Sequence, residues 1–67
     1  MITITVNGEK HTLKEPATAQ TLIESLGLDG KRLALERNQE ILPRSEYADT
    51  PLKEGDVIEI IHAVGGG

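Results

Sequence analysis

The chain has 67 residues and no cysteine. That excludes a disulfide, a thiolate-held metal and a thiol nucleophile. It has one aromatic residue, Tyr47. Proteins that hold nucleic acid use a basic face and often stacking aromatics. Here eleven acidic residues face seven basic ones, for a net charge of -4. Nucleic acid is therefore not an expected partner, and an acidic surface suits a basic protein better. His11 and His62 lie in separate segments without ligand spacing, so no metal site is expected. Ser25 and Ser45 lack a histidine or acid at diagnostic spacing and read as helix surface and turn. Gly8, Gly27, Gly30 and Gly55 are too dispersed to form a phosphate-binding loop. No segment has the length of a membrane span, and no signal-peptide pattern opens the chain. The location expected from this is the cytoplasm, with no membrane partner.

What the chain does have is aliphatic side chains in regular patterns. Hydrophobic residues make up 37% of it and scattered charged residues 27%, the balance of a folded chain. The length allows one domain. Without a disulfide or metal, stability must come from regular structure around one core.

Ile2, Ile4 and Val6 alternate with threonines, the pattern of a half-buried strand. Asn7-Gly8 then favours a tight type I′ hairpin turn, and 9–14 reads as the returning strand with Leu13 its main apolar contact. Pro16 ends that strand. Thr18 is a candidate N-cap. Ala19, Leu22, Ile23 and Leu26 form one stripe at helical spacing, Gly27 stops the helix, and Leu28 is placed to fold back over its end. Residues 33–36 predict a third strand, with Leu33 and Leu35 on one face. A polar turn at 37–40, a short strand at Ile41-Leu42 and an irregular stretch at 43–51 follow. Leu52 anchors that stretch, and 54–56 is a turn.

Residues 57–63 predict the last and most apolar strand. Ile58 and Ile60 fall on one side, Val57 and Ile61 on the other. A strand apolar on both sides belongs in the middle of a sheet. Placed parallel to the first strand, it gives a mixed sheet of four to five strands packed on one helix, an α+β domain of the β-grasp type. One helix covers only one face, so the second apolar side points to a partner surface. The alternative is partial cover by neighbouring side chains. His62 sits near the chain end, where it either steers a partner or is structural.

The domain is expected over 1–64, followed by the arm Gly65-Gly66-Gly67. Such an end, taken alone, is a frayed terminus or a cloning remnant. Continuing an apolar strand, it reads as a thin arm that carries an ionised carboxylate roughly 10 Å beyond the sheet.

At this point the sequence resembles a known family, the ThiS-type sulfur carriers of thiamine biosynthesis, which are ubiquitin-like β-grasp proteins. The resemblance covers essentially the whole chain. It is carried by Asn7-Gly8 after the first strand, by Leu33-Ala34-Leu35-Glu36-Arg37-Asn38, by Ile41-Leu42-Pro43-Arg44-Ser45-Glu46-Tyr47 and above all by 52–67. Gly66 and Gly67 map onto the family's terminal pair, and Gly65 is an additional glycine. The resemblance implies a carrier and not an enzyme, with no cofactor of its own. An E1-like adenylyltransferase of the ThiF type would use ATP and magnesium to adenylate the Gly67 carboxylate. Sulfur from a donor such as a cysteine desulfurase or rhodanese would convert it to a thiocarboxylate. A thiazole synthase of the ThiG type would receive that sulfur. Val57, Ile61 and His62 are the candidate docking residues, and Ala63 and Val64 would guide the arm. The carrier is expected to be monomeric alone. Competing readings are the small subunit of molybdopterin synthase, a carrier for tRNA thiolation or lysine conjugation, and a β-grasp interaction module without terminal chemistry.

Overall fold

Alternation at the start of the chain becomes strand β1, Ile2–Val6, in the computed structural model, which describes residues 1–62. Its isoleucines and valine point inward. Asn7 and Gly8 both have positive φ, 49° and 85°, as a type I′ turn requires. They return the chain into β2, Glu9–Leu13, with Val6 opposite Glu9 and Ile2 opposite Leu13. The ladder stops one residue short of the expected Lys14, because β1 begins at Ile2 and leaves Lys14 unpaired.

Helix α1, Ala19–Ser25, is closed at both ends by side-chain and backbone bonds that the sequence signalled. The Thr18 hydroxyl accepts from the Thr21 N–H at 3.2 Å, and the Thr18 N–H donates to the Thr21 hydroxyl at 2.9 Å. This is a capping box with threonine at its second position. At the other end the Leu28 N–H donates to the Ile23 carbonyl and the Gly27 N–H to the Glu24 carbonyl, both at 3.0 Å. Gly27 takes the left-handed conformation, φ 73°, that this Schellman motif needs. Leu28 packs against the core.

Strand β3, Leu33–Arg37, turns through Asn38 and Gln39 into β4, Glu40–Leu42. The turn is tighter than the expected 37–40. Arg37 and Glu40 pair with each other, and only Asn38 and Gln39 lie outside the ladder, at φ 52° and 72°. Where an irregular stretch was expected, Arg44–Asp49 forms a 3₁₀ helix that buries Tyr47. Strand β5, Val57–His62, completes a five-stranded sheet of order β2-β1-β5-β3-β4. It runs parallel to β1 and antiparallel to β3. Ile4, Leu22, Leu35 and Ile58 fill the centre of the core between the sheet and α1.

Candidate functional site

Period-two alternation in β5 sends Ile58 and Ile60 inward and Val57, Glu59 and Ile61 outward. Ile58 is wholly buried, whereas Val57 is 46% and Ile61 71% exposed. The helix lies on the inner face, so nothing in the described residues covers the outer one. Register places Ala34 of β3 opposite Ile61, Glu36 opposite Glu59, and Ile41 of β4 opposite Glu36. Ile41 is 73% exposed. Of the four large exposed hydrophobic residues among the described residues, three, Ile41, Val57 and Ile61, therefore share one sheet face. The fourth is Met1. Such clustering marks an interaction surface more strongly than scattered exposed residues do.

Two asparagines lock β5 in place. The Asn7 side chain accepts from the Ile60 N–H at 2.8 Å and donates to the Ile60 carbonyl at 3.1 Å. It thereby extends the short β1–β5 ladder, which pairs only Thr5 with Val57 and Val6 with Ile58. Asn38 does the same work at the start of the strand. Its side-chain oxygen accepts from the Val57 N–H at 2.9 Å, while its own N–H donates to the Val57 carbonyl at 2.8 Å. Its amide nitrogen donates to Asp56 at 3.1 Å. Asp56 is buried, also accepts from the Lys53 N–H at 2.9 Å, and stands 3.7 Å from the Arg37 guanidinium. Asparagine tolerates the left-handed backbone that both turns demand, so one residue type serves the turn and the clamp together. The sequence signalled Asn7 as a turn residue; its role as a clamp depends on β5 arriving beside it.

Val57 and Ile61 are brought together on the outer face, as expected. His62 is not with them. It lies opposite Leu33, on the side of the sheet that carries the helix. There it lines an open groove of about 230 Å³ with His11, Val6, Leu26 and Ile60. Counting by two from Ile58 was the available signal. His11 and His62, distant in sequence, thus line one groove, but no cluster of three metal-ligating side chains occurs among the described residues. The expected arm, Ala63, Val64, Gly65, Gly66 and Gly67, lies outside the described residues. So does the last residue of the strand expected over 57–63. No helix of the described residues is long and apolar enough to cross a membrane.

A mixed sheet with its first and last strands parallel at the centre, wrapped on one helix, defines a β-grasp domain of the ubiquitin-like class. The model of the ThiS family matches residues 3–67. The chain is 44% identical over 54 residues to the sulfur carrier protein ThiS of Bacillus subtilis (strain 168), covering 81% of this chain and 82% of that one. The crystal structure of the thiamine biosynthesis protein ThiS from Geobacter metallireducens superposes with a TM-score of 0.80 at 29% identity, covering 98% of this chain and all of that one. A thiazole synthase of Paramagnetospirillum magneticum is 39% identical over 64 residues, which are 96% of this chain and 20% of that protein. The chain thus spans about a fifth of the length of that relative. The chain belongs to the ThiS family.

Proposed function

We propose that the chain is a sulfur carrier for building the thiazole ring of thiamine, and that the sulfur is held on the Gly67 carboxylate. The observation that carries this reading is the family match, which runs from residue 3 through the glycines to residue 67. The fold gives it a physical frame. Strand β5 is flanked on both sides and clamped by Asn7 and Asn38, so the residues that follow it start from a fixed point.

A carboxylate is a poor electrophile and has to be activated. In the proposed sequence an E1-like adenylyltransferase binds ATP and magnesium. The Gly67 carboxylate attacks the α-phosphorus of ATP, pyrophosphate leaves, and an acyl-adenylate forms. A persulfide sulfur on a donor attacks the acyl carbon and expels AMP, giving an acyl disulfide. A thiol then takes the outer sulfur into a new disulfide and leaves the thiocarboxylate. A thiazole synthase receives that sulfur. The chain acts as a protein co-substrate: none of its own side chains is asked to do acid–base or nucleophilic work. Val57 and Ile61 are proposed as docking residues for these partners. His62, on the opposite face, would contribute only to a partner that also reaches the groove.

The test is intact mass. The chain is incubated with a ThiF-type adenylyltransferase, ATP, magnesium, a persulfide donor and a small thiol that cleaves the acyl disulfide. The expected product carries sulfur in place of one oxygen, and fragmentation locates it at Gly67. A chain lacking Gly66 and Gly67 is expected to stay unmodified. Equal modification of the shortened chain, or none of the full one, sinks the reading.

A further inference from the structure

Antiparallel pairing sets Glu36 of β3 directly opposite Glu59 of β5, both on the outer sheet face. Like charges directly opposite one another destabilise a sheet. Neither carboxylate has an ion-pair partner among the described residues. The pair is not at a polar rim. Val57 and Ile61 stand two residues to either side of Glu59, Ala34 stands two residues before Glu36, and Ile41 pairs with Glu36 across the β3–β4 ladder. The face is therefore a partial apolar ring around two carboxylates that make no ion pair among the described residues, open on the β1 side, where Thr5 and, opposite it, Lys10 share the face.

That charge pattern selects the occupant. A second copy of the chain would meet this face with itself across a two-fold axis. Four carboxylates would then converge as water is excluded, where an unpaired charge is costly. A partner with a basic side chain amid apolar residues removes the repulsion and covers the ring at once. Opposed residues of an antiparallel pair have Cα atoms about 4.5–5.5 Å apart, so one forked guanidinium reaches both carboxylates. The domain sequence also recurs within a much longer thiazole synthase chain, which links this fold to that partner.

We propose that the outer sheet face docks a thiazole synthase through an arginine or lysine seated between Glu36 and Glu59, with Ile41, Val57 and Ile61 packed around it. This rests on the carrier reading and adds to it the chemistry of the partner surface.

The test titrates a stand-alone thiazole synthase into the full chain by calorimetry, at low and at high salt. The E36Q/E59Q double variant is expected to bind about tenfold or more weakly at low salt, and its affinity should depend less on salt. Ile61→Asp should weaken binding as well. Thermal unfolding supplies a second readout: the double variant should melt at the same temperature as the unaltered chain or higher, because a repulsion has been removed. A merely structural role for the pair would not combine weaker binding with retained or raised stability. Equal binding by the double variant overturns the proposal and leaves the carrier reading intact, since thiocarboxylate formation is measured separately. Absence of binding by the unaltered chain overturns both this proposal and the choice of synthase as sulfur acceptor. A dimer of the unaltered chain in light scattering, abolished by Ile61→Asp, overturns it in favour of self-association.

Discussion

Asp56 is one carboxylate among eleven acidic residues, and only its surroundings set it apart. It is 7% exposed and takes hydrogen bonds from Asn38 and from the Lys53 N–H. Replacing it by alanine leaves both donors without their acceptor in a part-buried turn. The expected loss is about 1–3 kcal/mol, read as a lower urea midpoint with unchanged slope. Asp56→Asn keeps an acceptor and should lose less; an Asp56→Ala chain as stable as the original would refute the role. This residue shows where the sequence was silent. Ile2, Ile4 and Val6 declare their inward face by alternation alone, and Val57 and Ile61 declare the outer one. Asp56 in a Gly-Asp turn looks like any solvated acid until β3 and β5 bring Asn38 beside it. Tyr47 is similar. Its neighbours Ser45, Glu46 and Asp49 are polar, so nothing local marks it as core. Its burial follows from the 3₁₀ helix folding against α1.

At the scale of elements, α1 was legible because its ends carry chemistry as well as a stripe. The helix has seven residues, far below the length at which an isolated helix holds in water. Packing of Ala19, Leu22 and Ile23 supports it, and the caps fix where it starts and stops. Thr18→Ala removes a hydroxyl that accepts from Thr21 and should cost about 1 kcal/mol. Thr18→Ser should restore most of that. Gly27→Ala should cost a similar amount, roughly 1–2 kcal/mol, for a different reason. A Cβ at Gly27 meets no atom within 4 Å, so the penalty lies in φ, at 73°, and not in crowding. Thermal unfolding of the three variants checks the argument. A Gly27→Ala chain that melts with the original would show that the left-handed cap carries no stability. β4 shows the opposite limit. Two of its three residues, Ile41 and Leu42, were legible as a strand, while Glu40 was expected in the turn and the fate of Ile41 was not legible. At a sheet edge, period two fixes which face a side chain takes and says nothing of what covers it.

For the whole molecule, the decisive fact is that β5 alone joins β2-β1 to β3-β4. Without it the sheet falls into two hairpins with no shared hydrogen bonds. Isolated hairpins are marginal in water at best, and α1 would lose Ile58 and Ile60 from the core beneath it. A chain ending at Asp56 is therefore expected not to fold, giving collapsed amide dispersion in NMR and no cooperative thermal transition. A peptide of residues 57–67 supplied in trans should restore some cooperative structure, because its inward isoleucines complete the core. A folded 1–56 fragment, with dispersed amides and a sharp melt, would show that the hairpins and helix hold without β5. The topology also couples folding to the proposed chemistry. The strand that closes the sheet is the strand whose continuation holds Gly66 and Gly67. Any substitution that loosens β5, at Asn7 or Asn38 for example, should lower stability and sulfur loading together. Substitutions on the outer face, at Glu36 or Ile61, should affect partner binding and leave the sheet closed.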